Sequence, residues 1–431
     1  MRFKPYNSAV LFVLAAAAIL HSQSFKREVK ALVEPNFPQQ IITAGGEGAD
    51  VSGFTSEAIQ RAIDALPAER GGTVVLSPGQ YEIFSPIRLG SNTVLRGSGE
   101  STVLKKCAGF RSRFIIDADY GELLLTVEDP AGFRPGMAVQ VYDDRYNSDW
   151  AVSTAVITEV QGDVLYIGSY LERDYHADAN GMVSNACSIV SAVGVHGVTI
   201  RDLTVDGFKS SNDEINGCRG GAVYIHKSRR VLIENVRVRN FAGDGISWQI
   251  TEDVTVRGCE ISGCTGHGLH PGTGSPNTLI EDNHSHRNGR EGLFVCWRVQ
   301  NGMVRNNTFD HNERHGICTG HKDTDMIFEG NRIFENGSDG INLRRERPAN
   351  APHRNLFNKN LIENNGTREG GYGFAVYSQA DEVVLRGNTF RNTGAGNQTA
   401  AVFISREGTP VELQDNVFEG HSSGPVILEK E

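Results

Sequence analysis

Five ionisable residues stand immediately before a glycine at nearly constant spacing: Asp244, His267, Glu291, His315 and Asp339. Successive members are 23, 24, 24 and 24 residues apart. If each interval is one turn of a stacked chain, they form an acid/His/acid/His/acid ladder roughly 19 Å long, at about 4.8 Å per rung. Two positions after each glycine come Ser247, His270, Phe294, Cys318 and Asn342, which strand alternation points away from the core. Trp297, Arg298, His321, Lys322, Arg344 and Arg345 follow in the same segments. Titratable groups in register beside aromatics and cations make a groove for a polymer. Its substrate contacts are then Asp244, Trp297, Arg298, His321, Lys322, Asp339, Asn342, Arg344 and Arg345. The plainer alternative is an ion-pair ladder that only stabilises stacking.

One chemistry such a groove supports is abstraction of a proton beside a carboxyl. Imidazole titrates near neutral pH, so His315 suits the base. Arg314 or Arg344 would pair with the carboxylate in bidentate fashion. His267 or His270 would serve as acid or positioner, with Glu291 beside them. Inverting hydrolysis competes with this reading, because it needs two carboxyls about 6.5–9.5 Å apart. Asp244 with Glu291, or Glu291 with Asp339, lie two rungs apart, about 9.6 Å. A non-catalytic, carbohydrate-binding or adhesive surface is the third reading. His267 and His270 alone are thin support for a transition-metal site, and no metal is assigned.

The elements that must position these residues are visible as an internal repeat. Copies begin at Val231, Val254, Thr278, Gly302, Met326, Asn355, Val383 and Val411. Each opens on a short strand such as Val254-Thr255-Val256. Asn then recurs in one column as Asn283, Asn307, Asn331, Asn360, Asn388 and Asn416. A second column holds Asn288, Asn312, Asn336 and Asn365. Each of the five chemistry-bearing copies ends on Gly and a large aliphatic, as in Gly292-Leu293 and Gly316-Ile317. One such turn cannot bury its own apolar side; stacking joins those sides into one core. The Asn columns fit bends, where an amide satisfies backbone groups and its own copy one coil away. Leucine-rich and hexapeptide solenoids are excluded by the missing Leu frame and the longer period. The expected fold is all-β: a right-handed parallel β-helix over residues 185–431, with seven or eight coils.

Residues 41–119 are expected to form the N-terminal cap and first coils. Apolar residues at 58, 59, 62, 63 and 66 predict an amphipathic helix over 55–66, capped by Thr55 or Ser56. Ala58-Ile59-Gln60, Gly71 to Val74 and Pro78 to Tyr81 resemble the N-terminal coils of the pectate-lyase-like superfamily. That resemblance implies the β-helix and leaves lyases, hydrolases, epimerases and phage tailspikes open as activities. Residues 120–180 break the period and predict a small antiparallel β insertion. Its Asp143-Asp144-Arg145 and Trp150 read as a solvated turn or as an overhang of the groove.

Residues 244–345 resemble a second group, the mannuronan C-5 epimerases and related uronate lyases. Those enzymes carry an aromatic-Gly-x-Asp-Pro-His stretch and, two coils on, Arg-His-Gly. Here His267-Gly268-Leu269-His270-Pro271-Gly272 and Arg314-His315-Gly316 stand in the matching register. His267 replaces the family's Tyr, His270 its Asp, Gly272 its His, and Cys296 an acid of the intervening coil. The resemblance implies a lyase-type or epimerase-type enzyme on an acidic glycan, with calcium as a candidate cofactor. Asp202, Asp206, Asp213 and Glu214 are the acidic stretch nearest to a calcium site, without an EF-hand or nonapeptide pattern.

Composition sets the setting. The chain has 431 residues, a formal net charge of −10, 49 Gly and only 14 Pro. Negative charge argues against nucleic acid as a partner, and many Gly suit tight turns. Arg2 and Lys4 followed by the apolar run Ala9 to Leu20 read as a signal peptide cleaved after Ser24, too short to span a bilayer. The expected product is secreted or periplasmic, with no membrane segment and an anionic polysaccharide as partner. Seven cysteines show no zinc spacing. Cys259 with Cys264, or Cys296 with Cys318, are candidate bridges, and small buried hydrophobes are the commoner role. Oligomeric state is not readable.

Overall fold

A computed structural model describes residues 31–32, 40–368 and 370–429. The signal peptide expected over residues 1–24 lies outside the described residues.

Parallel strands stack in register along the whole described chain. One face runs Ile41, Thr73, Val94, Thr199, Leu232, Thr255, Leu279, Met303, Ile327, Leu356, Val384 and Glu412, each paired with the next. Rungs at Ile41, Thr73, Val94 and Thr199 therefore precede the eight copies read from the repeat. Their period is irregular, so periodicity alone missed them. A second face stacks Val238, Ile261, Ser285, Phe309, Ile333, Ile362, Phe390 and Phe418. The third is an 11-stranded sheet from Ile87–Arg88 to Val426–Leu428. The core between the faces is one continuous apolar column. Phe328 and Phe357 stack within it, centroids 4.5 Å apart.

The bends are held by amides. Asn283 donates from both its backbone N–H and its side chain to Asn307 Oδ1, at 3.0 and 2.9 Å. Asn307, Asn331, Asn360 and Asn388 repeat the contact to the next rung. The second column runs Asn288, Asn312, Asn336 and Asn365, ending on Gln398. Cys259 and Cys264 occupy the positions just below these columns, their N–H groups donating to Asn283 and Asn288. They sit at separate bends, and all seven cysteines are free. Neither candidate bridge forms.

The glycine that precedes each third-face strand is sterically required. A Cβ on Gly292 would stand 2.9 Å from Gly316 O and 2.7 Å from Asn312 Nδ2. On Gly316 it would stand 2.4 Å from Ile333 Cγ2. The chain thus crosses close over its neighbour, and the ionisable residue before each glycine is carried to the edge of the third face.

A helix, Ser56–Asp64, packs Ala58, Ile59, Ala62 and Ile63 against the first rungs, with Thr55 Oγ1 accepting from the Ala58 N–H. The interruption of the repeat folds as a six-stranded antiparallel sheet with its own core of Phe114, Leu125, Val139, Val141, Ile157, Leu165 and Val183. Arg111–Arg113 pairs with Met182–Ser184 at its base, so its strands reach beyond 120–180 at both ends.

Candidate active site

The site is built on consecutive third-face strands: Ile246–Gln249, Leu269–Gly272 and Leu293–Phe294. His270 sits at the second position of its strand and pairs in register with Ser247 below. Its Nδ1 donates to Asp244 Oδ2 at 2.6 Å, while Asp244 Oδ1 accepts the backbone N–H of His267 at 2.8 Å. One rung up, His267 Nδ1 stands 2.7 Å from Glu291 Oε2. The His267 ring lies flat on Phe294, centroids 4.2 Å apart, and edge-on to His270 at 5.3 Å. Two imidazole–carboxylate pairs therefore stand side by side.

Their electrostatics follow from burial and pairing. Burial alone would raise the Asp244 carboxyl, yet the facing His267 and His270 outweigh it and hold it low. Glu291 is held at about 2 against the same burial by His267, Arg314 and His315. Burial would lower His270, but the Asp244 carboxylate and the Cys296 thiol outweigh it and raise it above the ordinary imidazole value. Both carboxyls are thus fixed as anions, and His270 holds its proton more tightly than a free imidazole.

A cavity of about 320 Å³ opens over these pairs. Asp244, His267, His270, Phe294 and Cys296 form its floor; Trp297, Arg290 and Arg314 line it from turns of the helix. The loop through Asn216, Gly217 and Cys218 closes another side, and Asp149 and Trp150 reach in from the insertion. Gly217 is required there: a Cβ would fall 1.7 Å from Asp244 Oδ2 and 2.4 Å from His270 Nδ1. Ser247 Oγ pins the loop by donating to Gly217 O at 2.6 Å. Arg219 ties it to the insertion, donating to Trp150 O at 2.6 Å with its guanidinium 4.9 Å from the indole.

The open ladder expected from Asp244 to Asp339 is thereby shortened to a pocket. Asp244, His267, Glu291 and Arg314 converge, together with His270 and Trp297. His315, expected as the base, does not line the cavity: it is buried with Nδ1 3.4 Å from Asp339 Oδ2. Burial lowers its pKa against the pull of Asp339 and Glu291. On this turn Arg314 lines the cavity and His315 does not, although Asp244 and His267 of the same column do. Asp339 is engaged by His315, the Asn342 amide and the Tyr372 N–H. Arg344 is held by the protein itself: it is half-buried, donating to Val295 O at 2.9 Å, 3.5 Å from Asp323, with its guanidinium 4.5 Å from the Phe294 ring. Arg345 is exposed, 3.6 Å from Glu407. Arg298, His321 and Lys322 lie outside the cavity, His321 packing on Trp297 at 4.8 Å and facing Glu346 at 3.3 Å.

Sequence reasoning missed Arg290, Cys218 and Asn216 as pocket walls, placed Cys296 only through the family resemblance, and left Trp150 between a solvated turn and an overhang. Arg290 had a signal: it precedes Glu291-Gly292 as Arg314 precedes His315-Gly316. The 216–218 loop had none, since it does not belong to the repeat. Of the insertion's charged turn, Asp143 is buried and bound by Arg145 at 2.7 Å, so only Trp150 overhangs.

The donor chemistry also bears on calcium. Asp202 pairs with Arg201 and Asn235, Asp206 with Arg239, Asp213 with Arg111 and Tyr142, and Glu214 with Arg290. These oxygens do not converge, and calcium wants several that do. The acidic stretch does not fit the ion.

A family model for a right-handed β-helix region matches residues 188–349, and one for rhamnogalacturonase A/epimerase, pectate-lyase-like proteins matches 43–126. The fold of the chain is a right-handed parallel β-helix. A mannuronan C5-epimerase of Azotobacter vinelandii is 24% identical over 303 residues, 70% of this chain and 22% of that protein. The chain thus spans about a fifth of the length of these curated relatives. Among solved structures, the A-module of another mannuronan C-5 epimerase of that organism aligns at a TM-score of 0.55 and 17% identity, covering 95% of both chains. A polygalacturonase of Erwinia carotovora aligns at 0.54 and 13%, covering 94% of this chain and 100% of that one. Structural likeness at these identities speaks to the β-helix itself.

Proposed function

We propose that this β-helix is an exported polysaccharide-modifying enzyme that moves the proton beside the carboxyl of a uronate residue, as a lyase or an epimerase. The carrying observation is that His270, hydrogen-bonded to Asp244, and His267, 2.7 Å from Glu291 behind it, both line one cavity. Asp244 orients the His270 ring, so that its Nδ1 is engaged and its Nε2 is the atom left for acid–base work. Arg290 and Arg314 supply cations at the rim for the substrate carboxylate, whose neutralisation lowers the cost of the developing carbanion. Trp150 and Trp297 offer flat faces for sugar rings. Similarity to mannuronan epimerases over 70% of the chain supports an anionic glycan. The leader-like residues 1–24 support export.

Inverting hydrolysis is the second reading. It needs one carboxyl kept protonated to serve the leaving group; Asp244 and Glu291 are held low by the facing imidazoles, so that role would fall to Asp149 or Glu214 on the cavity wall.

The test is incubation of the full chain with mannuronan and with polygalacturonate in D₂O. Deuterium entering at C5, or an unsaturated uronate absorbing in the ultraviolet, is expected from one of them. New reducing ends without either signal would establish hydrolysis instead. Binding of a glycan with no product from either polymer would establish a carbohydrate-binding module.

A further inference from the structure

Three of the four departures from the epimerase motif share a direction, Gly272 in place of a His being the exception. Where those enzymes carry oxygen-bearing Tyr, Asp and acid, this chain carries His267, His270 and Cys296. All three line one cavity. Oxygen donors have thus been exchanged for nitrogen and sulfur at every changed position on the pocket floor. That is the donor exchange that separates a hard-cation or proton-transfer site from a zinc-class site.

The geometry is compatible. One donor atom from each of Asp244, His267 and His270 lies within 4.8 Å of the other two. Tetrahedral ligands of a zinc ion stand about 3.3–3.7 Å apart, so closure needs roughly an ångström of side-chain rotation. Part of the supporting shell is already in place. His270 Nδ1 donates to Asp244, and His267 Nδ1 stands 2.7 Å from Glu291 Oε2 without a hydrogen bond between them. A carboxylate behind Nδ1 is the arrangement that fixes the tautomer and directs Nε2 at a metal. His270 Nε2 is buried and has no hydrogen-bond partner, although its residue is only 3% exposed. An orphaned buried nitrogen in a cavity wall costs stability unless something occupies it. The Cys296 thiol adjoins the same ring.

We infer that the pocket binds one zinc-class divalent transition-metal ion through Asp244, His267 and His270, with the Cys296 thiol beside His270 rotating in as a fourth donor, and that ion and glycan compete for it. Competition follows because the Nε2 lone pairs that would take up the substrate proton are those that would hold the ion. This inference rests on the reading of the pocket above for its competition, but not for the binding itself.

The second His/carboxylate cluster, His284 with His286 and Asp310, is the natural control. It lies on the second face, and its rings are engaged by carboxylates: His284 with Asp310, His286 with Glu260.

The experiment is titration of the EDTA-treated full chain with zinc chloride by calorimetry, with bound zinc counted after desalting. One ion per chain at micromolar affinity or tighter is expected. His270→Gln and His267→Gln should abolish it, and Glu291→Gln should weaken it about 10–100-fold. His284→Ala should leave it unchanged. With cobalt as the probe, a thiolate charge-transfer band should appear and vanish in Cys296→Ser. No binding, binding that survives both His→Gln changes, or binding lost in His284→Ala would overturn the site. Absence of the thiolate band would overturn the His/Cys donor set. Because these readings need no glycan, they stand apart from the proposed activity. Added zinc should suppress whichever glycan conversion is found and EDTA restore it; stimulation by zinc would overturn the competition.

Discussion

Asp244 serves two neighbours at once: Oδ2 accepts from His270 Nδ1 at 2.6 Å and Oδ1 from the His267 backbone N–H at 2.8 Å. A single carboxylate therefore fixes both the ring that faces the cavity and the rung above it. Asp244→Asn keeps the shape and removes the charge. The side chain can still accept from His267, but His270 loses the anion that holds its proton. Turnover should fall about 10²–10⁴-fold, the range for losing a positioned acid–base group. The far-ultraviolet circular dichroism should stay that of the parent. Steady-state rates on the responsive glycan, beside spectra of the same preparation, give the comparison.

Gly217 lies against this pair and makes a sharper test of geometry. A Cβ there would overlap Asp244 Oδ2 at 1.7 Å, so Gly217→Ala must push either the loop or the carboxylate aside. The residue belongs to no rung, and the stack should be indifferent to the change. We expect kcat to drop about 10²-fold, the cost of misplacing a reacting group by roughly an ångström, with an unchanged melting temperature. Unaltered kcat would show that Asp244 does not orient the reacting group.

The division between what was and was not legible in the sequence runs along the same line. The rungs from Leu232 to Glu412 were readable because a stacked coil repeats its requirements: an amide at the bend, a glycine where chains cross. His267 and His270 came from that periodicity and do line one cavity, with Glu291 behind His267. His315 shares their column but lies past the cavity, where only Arg314 of its turn reaches. The partners of Arg344, the Phe294 ring and Asp323, lie on other turns, which the spacing along one turn does not show. Trp150 was open to two readings and Gly217 had no signal, since both reach the site by irregular loops whose paths no period encodes.

His226 gives a pH dependence of known sign. Burial, then Lys227 and Arg219, lower its pKa to about 4, against about 6.5 in an unfolded chain. Between those values the unfolded state binds a proton that the native state refuses. Stability from this group is therefore full above about pH 6.5 and is lost as pH falls towards 4. His226→Gln should flatten that part of the curve, raising the melting temperature at pH 4.5 relative to the parent by a few degrees and leaving pH 8 nearly unchanged. Scans at the two pH values decide it; an equal offset at both would mean that packing against Trp150 and Tyr224, not protonation, is what the ring contributes.

The amide column predicts a gradient of cost along the stack. Asn307 Nδ2 donates to Ile280 O at 2.9 Å and to Asn331 Oδ1 at 3.0 Å, while its Oδ1 accepts both amide donors of Asn283. Asn307 is fully buried, so Asn307→Ala leaves several polar groups without water or partner. Each such group costs about 1–3 kcal/mol, and a loss of about 3 kcal/mol or more is expected. Asn416, at the last rung among the described residues, accepts both amide donors of Asn388 and donates to Leu385 O, but it has no further rung to donate to and is only half-buried. Water can replace its amide, so Asn416→Ala should cost about 1 kcal/mol. Urea midpoints of the two variants, at equal slopes, measure the difference. Equal costs would mean that neither burial nor the bond to the next rung sets what each amide contributes.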